Sequence, residues 1–246
     1  YPLGETDGSV WSALPDTGAQ SALITAARRF WGVPAGAAVL ATPGASAPIA
    51  MIPRLRPAAS VHIAAPTYNE HAAAFAACGW TQAGSATDAA AQVIVHPNNP
   101  DGRLFTNADL HAPLRIIDES FCDVMPDASL IGHSADPDTL VLKSFGKFWG
   151  LAGLRLGFVI GDPALVAGLE QMLGPWPVAG PALEIGTRAL DDPDWAQRSR
   201  SRLAADAARL DGLLDAAGAA CLGGTSLFRL YDVTDAAAWQ SRLAKH

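Results

Sequence analysis

Ser144-Phe145-Gly146-Lys147-Phe148-Trp149-Gly150-Leu151-Ala152-Gly153-Leu154-Arg155-Leu156-Gly157 decides how this chain is read. The stretch follows the strand-like run Thr139-Leu140-Val141-Leu142 and sets Lys147 ahead of Arg155 among glycines. Lysines occur only at 143, 147 and 245, whereas arginines are plentiful. Where positive charge alone is wanted, arginine would serve. A lysine between glycines and aromatics points to amine chemistry, because an amine can form a Schiff base with a carbonyl. The same residues also suit a solvated lysine in a glycine-rich loop, so the decision passes to motifs upstream.

Working outward, short apolar runs alternate with helical patterns. Strands are expected at Ala38–Ala41, Val61–Ala64, Gln92–His96, Leu114–Ile117, Thr139–Leu142 and Leu156–Ile160. Most are continuous apolar runs, as strands covered on both faces of a parallel sheet require. Helices are expected at Gln20–Trp31, Ala45–Leu55 and Glu70–Cys78. The alternation predicts an α/β fold, a mainly parallel sheet whose sites form at the strands' carboxyl ends. The crossover from Asn99 to Asp118 is short for a helix with two turns, and residues missing there would account for it.

From Pro163 the pattern changes. A helix Pro163–Leu173 is stopped by Gly174-Pro175-Trp176-Pro177, and a long helix spans Pro193 to Ala217. A turn and strand at 223–230 and a last helix Ala236–Lys245 follow. This predicts a large α/β domain over residues 18–173 and a smaller α+β domain built from 1–17 and 174–246.

Two further motifs carry chemistry. His96-Pro97-Asn98-Asn99-Pro100-Asp101-Gly102 fixes a rigid turn after a strand, with an amide pair that a plain turn does not need. Asp118-Glu119-Ser120-Phe121 follows Ile116-Ile117, and an acid at the end of a buried strand needs a partner. Asp118 could equally cap the next element, and the first motif could be only a turn.

Half the residues are hydrophobic and the formal net charge is -7, which disfavours nucleic acid or anionic membrane as a partner. Cys78, Cys122 and Cys221 show neither metal spacing nor a disulfide framework, so a cytoplasmic location and no metal are expected. No apolar run is long enough to span a bilayer. The N-terminus lacks a signal pattern and an initiator methionine, so the gene product is expected to be longer.

Ser-x-x-Lys with Gly-x-Arg-x-Gly after it, Asn-Pro-x-Gly and Asp-x-x-aromatic together resemble the pyridoxal 5'-phosphate (PLP) enzymes of aminotransferase fold type I, class I/II. The likeness is greatest to the branch that holds histidinol-phosphate aminotransferase and threonine-phosphate decarboxylase. The resemblance implies an aspartate aminotransferase-like fold and PLP as cofactor. In it, Lys147 would form the Schiff base and move protons at the substrate's α-carbon. Asp118 would hold the pyridine nitrogen protonated, with His71 as its partner, and Asn99 would donate to the phenolic oxygen. Tyr68 would stack on the ring. Ser144, Arg155 and the loop Gly44-Ala45-Ser46 would bind the phosphate. Tyr1, in Tyr1-Pro2, would reach the neighbouring site of a homodimer. Each has a plain alternative: a strand–helix connection for Gly44–Ser46, a core-edge tyrosine for Tyr68, a surface histidine for His71, a frayed end for Tyr1.

Two departures refine this. Many aminotransferases of the group carry tyrosine where Phe121 stands, and phenylalanine there resembles the decarboxylase branch, as does Gly-Gly-Thr-x-Leu-Phe-Arg-Leu at 223–230. The family's carboxylate-binding arginine lies in a final strand beyond the last helix; Arg229 is not its equivalent. Either further residues carry it or substrate binding differs. The resemblance implies decarboxylation of L-threonine O-3-phosphate in cobalamin side-arm synthesis. The alternatives are amino-group transfer on a substrate such as histidinol phosphate and, more remotely, a non-catalytic PLP-binding sensor domain.

Overall fold

The computed structural model describes residues 1–245. Seven strands form one sheet: β1 Ala38–Thr42, β2 Ser60–Ile63, β3 Thr81–Gln82, β4 Ala91–Val95, β5 Leu114–Asp118, β6 Thr139–Ser144 and β7 Gly157–Gly161. Their order is β1-β7-β6-β5-β4-β2-β3, parallel from β3 through β6, with β7 antiparallel to both of its neighbours, β6 and β1. A hairpin, β8 Ala220–Thr225 with β9 Phe228–Asp232, stands apart. The helices are α1 Ser9–Ser12, α2 Thr17–Trp31, α3 Ser46–Met51, α4 Glu70–Ala77, α5 Pro163–Leu173, α6 Gly180–Leu190, α7 Pro193–Asp215 and α8 Ala236–Leu243.

Successive side chains of a strand leave opposite faces, and here each face has its own core. Ile94, Ile117, Val141, Phe158 and Ile160 pack toward α2 and α6 with Leu23, Ala182 and Leu183. Val93, Ile116, Leu140, Leu142 and Val159 pack toward α3, α4 and α5 with Ile49, Phe75 and Leu165. Ile116 and Ile117 are at most 1% exposed, on opposite faces, and burying each stabilises the sheet by roughly 1.5–3 kcal/mol. This two-sided burial is why the strands read as unbroken apolar runs.

All six expected strands form, within a residue or two. The helix expected over Ala45–Leu55 is α3, which ends at Met51 and tightens into a 3₁₀ turn at Ile52–Arg54. Pro53 lacks the amide that a continuing α-helix would need. Helix α6 was not foreseen: Gly180-Pro181 reads as the end of a rigid connector, yet proline is well accommodated in a helix's first turn. The strand expected within 223–230 is the hairpin β8–β9. The crossover from Asn99 to Asp118 runs continuously with only a 3₁₀ turn, Asn107–Asp109, capped reciprocally by Thr106 and Asp109. Among the described residues no helix is long and apolar enough to cross a membrane.

Candidate active site

The carboxyl ends of β4, β5 and β6 open into a cavity lined by Ala45, Ser46, Tyr68, Asn99, Asp118, Ser120, Phe121, Ser144, Lys147 and Arg155. That is where an α/β sheet places its ligands.

Asp118 ends β5 on the α4 face and is 2% exposed. His71 Nε2 donates to its Oδ2 at 2.8 Å. The Ser120 amide and hydroxyl donate to Oδ1 at 2.9 and 2.5 Å. Burial alone would raise the Asp118 pKa; the His71 and Ser120 hydrogen bonds outweigh it and hold the carboxyl below its ordinary value. The site keeps a buried anion in the cavity wall. Ser120 was missed in the sequence, although an Asp-x-Ser turn carries the signal for it.

Elsewhere the wall collects donors. Gly44 adopts φ +76°, and a Cβ there would lie 2.6 Å from Arg155 Nη2. The missing side chain is what lets the guanidinium lie against the loop. Gly157 plays the same part from β7, since its Cβ would stand 2.6 Å from the Gly44 carbonyl carbon. Ala45 and Ser46 open α3, whose first amides have no partner within the helix. The Ser144 hydroxyl lies on the same wall and accepts from the Gly146 amide at 3.3 Å. Arg155 donates to the Ala152 carbonyl at 3.2 Å and makes no ion pair among the described residues.

Lys147 lines the same cavity. Its Nζ has no carboxylate partner among the described residues and lies 5.2 Å from the Phe121 ring centre. Phe121 in turn meets Phe228 of β9 edge to face at 4.9 Å. The adjacent asparagines divide their work. Asn98 is buried and ties the turn together, accepting from Thr67 Oγ1 at 2.6 Å and donating to Pro66 O and Asp101 Oδ1. Asn99 lines the cavity. Tyr68 is 38% exposed at the rim, 6.1 Å from the His71 ring.

Tyr1 does not enter this cavity. Its ring packs on Trp195 at 5.2 Å, and its hydroxyl donates to the Arg188 carbonyl at 3.3 Å. Arg229 is clasped by Asp211, which also accepts from Tyr231 at 2.6 Å.

The donor set fits PLP. A loop opened by glycine, a serine hydroxyl and an unpaired guanidinium suit a phosphate. A buried carboxylate suits a protonated ring nitrogen, and an amine without an acidic partner suits an aldehyde. One further group, His96, Glu119 and Cys122, brings metal-ligand atoms within 4.8 Å of one another. The His96 and Glu119 atoms are already engaged: His96 accepts from Phe105 N and donates to Ala128 O, and Glu119 accepts from Leu130 N, Ser129 and Lys143.

Comparison with known proteins agrees. Threonine-phosphate decarboxylase of Pseudomonas aeruginosa is 38% identical over 94% of this chain and 74% of its own. The protein of that name from a Sinorhizobium species is also 38% identical, over 96% and 75%. The crystal structure of histidinol-phosphate aminotransferase from Sinorhizobium meliloti in complex with pyridoxal-5'-phosphate superposes with a TM-score of 0.80 at 18% identity, over 96% of this chain and 72% of that one. This establishes the aspartate aminotransferase-like fold. A profile of the family Aminotransferase class I and II matches residues 5–246, and the chain belongs to that family.

Proposed function

We propose that this chain is a PLP-dependent decarboxylase acting on L-threonine O-3-phosphate, releasing carbon dioxide and an aminopropanol phosphate for cobalamin side-arm synthesis. The observation that carries the PLP reading is Lys147, unpaired, in one cavity with a buried Asp118 that His71 and Ser120 keep ionised. The two 38% identical relatives, matched over nearly the whole chain, and Phe121 beside Lys147 favour decarboxylation.

Bound PLP supplies an electron sink for the bond held upright to its ring. The protein supplies the rest. Asp118 would hold a proton at the ring nitrogen by charge. Ser144, Arg155 and the amides of Ala45 and Ser46 would hold the phosphate. Lys147 would supply the amine for the aldehyde and move a proton at the substrate's α-carbon. Tyr68 would cover the ring, and Asn99 would donate to the phenolic oxygen. Phe121 has no hydroxyl to do so.

The same proposal takes the active unit to be a cytoplasmic homodimer in which Tyr1 serves the neighbouring site. It also keeps the division into residues 18–173 and 1–17 with 174–246, with α6 packed on α2. Amino-group transfer is the second reading, favoured by the similarity to a histidinol-phosphate aminotransferase of Mycobacterium bovis, 32% identical over 80% of this chain. The deciding experiment mixes the PLP-loaded protein with L-threonine O-3-phosphate and no keto acid. Carbon dioxide release over many turnovers is expected. No release, with amino-group transfer once a keto acid is added, would replace this reading by the second.

A further inference from the structure

Behind the cavity, on the opposite face of the sheet, lies a buried ionic cluster that lines no part of it. Strand alternation puts it there. Asp118 of β5 is paired with Leu142 of β6, so Glu119 stands level with Lys143. Asp118 and Ser144 face α4 and the cavity; Glu119 and Lys143 face α2. Lys143 Nζ donates to Glu119 Oε2 at 2.6 Å and lies 3.7 Å from Asp123 Oδ1. All three residues are at most 4% exposed. Burial alone would lower the Lys143 pKa, but Glu119 and Asp123 raise it above the ordinary lysine value, so the amine remains an ammonium. Asp123 also accepts from the indole of Trp149 at 2.9 Å. Trp149 belongs to the turn that carries Lys147, where the Gly150 amide donates to the Lys147 carbonyl at 3.0 Å.

Burying charges is costly, and well-packed apolar residues often stabilise a fold as much. Directional bonds do what apolar packing cannot: they fix distances between strand ends. Each member of the cluster is tied to one cavity residue, Glu119 to Asp118 and Lys143 to Ser144 along the chain, and Asp123 to the Lys147 turn through Trp149. We propose that Glu119, Lys143 and Asp123 are positioning residues that hold the acid end, the phosphate end and the amine of the site in register. This rests on the PLP reading above.

The test compares the full-length wild type with Lys143→Met/Glu119→Gln, which removes the ion pair while Asp123 keeps the indole bonds from Trp31 and Trp149. Two quantities are read after the apoprotein is titrated with PLP: affinity, and visible circular dichroism per bound cofactor, which reports how the cofactor is held. The expected result is unchanged far-ultraviolet dichroism, PLP affinity about tenfold weaker, as for residues that orient ligand-binding groups, and an altered visible spectrum. Unchanged affinity together with an unchanged visible spectrum would overturn the proposal. If the double variant does not fold, Asp123→Asn decides by the same two readings, since it keeps the Glu119–Lys143 pair and weakens the hold on the Lys147 turn through Trp149, together with the bond from Trp31 of α2. A wild type that binds PLP but releases no carbon dioxide would sink the choice of reaction and leave this inference standing.

Discussion

His71 Nε2 and Asp118 Oδ2 lie 2.8 Å apart, both residues at most 2% exposed. The hydrogen bonds to Asp118 favour its charged form, and its pKa is depressed below the ordinary carboxylate value of about 3.9. A depressed acid contributes stability that is present above the unfolded pKa and is lost as pH falls through the folded one. Asp118 is therefore expected to stay ionised from neutral pH down to below pH ~4, so it adds no inflection to a pH–rate profile between 5 and 8. Asp118→Asn keeps the shape and removes the charge. We expect kcat at saturating PLP to fall by about 100-fold or more, the usual loss for a preorganised electrostatic group. Wild-type turnover in that variant, measured as carbon dioxide release, would remove Asp118 from the chemistry.

Lys143 and Lys147 lie close in sequence but not in reactivity. Lys143 is 2% exposed and bonded to Glu119, whereas Lys147 lines the cavity without an acidic partner. Borohydride reduction of the PLP-loaded protein should attach the cofactor at Lys147 alone, as read by peptide mass spectrometry. Lys147→Ala should abolish the visible absorbance of lysine-bound cofactor. An unchanged spectrum in that variant would sink the PLP assignment.

Gly44→Ala tests the phosphate end. The φ of +76° costs a residue with a Cβ roughly 1–2 kcal/mol. The new methyl also displaces the Arg155 guanidinium, since only 2.6 Å separates their positions. Thermal stability should drop modestly while PLP affinity falls further, because Arg155 is flexible enough to move aside but then leaves the phosphate. Equal PLP dissociation constants for the two proteins would place the phosphate elsewhere.

Much of this was legible because strands buried on both faces leave long apolar runs, and Asp118, Asn99 and Ser144 stand at the ends of such runs. Helix α6 was not legible, since Gly180-Pro181 reads as a break when a helix begins with it. The hairpin partner β8 was hidden by Gly223-Gly224. Ser120 could have been found from its neighbour. The Glu119–Lys143 pair could not: it depends on the register of β5 against β6, which periodicity does not specify. The resemblance singled out Asn99 in Asn-Pro-x-Gly, while the other half of the amide pair had no reading; the bonds to Thr67 and Asp101 show that Asn98 is spent on the turn.

On the proposed reading Phe121 bears on the choice of reaction, and this can be tested directly. Its ring faces Lys147 Nζ at 5.2 Å and Phe228 at 4.9 Å, so Phe121→Tyr adds a hydroxyl at the cavity wall without removing these contacts. On the PLP reading that hydroxyl donates to the phenolic oxygen and favours its anionic form. One hydrogen bond to a charged oxygen is worth about 1.5 kcal/mol, close to one pKa unit. The pH titration of lysine-bound cofactor absorbance should therefore move down by about one unit, and amino-group transfer should rise relative to carbon dioxide release. If the midpoint stays where it is in the wild type, the Phe121 ring does not face the phenolic oxygen, and its bearing on decarboxylation goes with it.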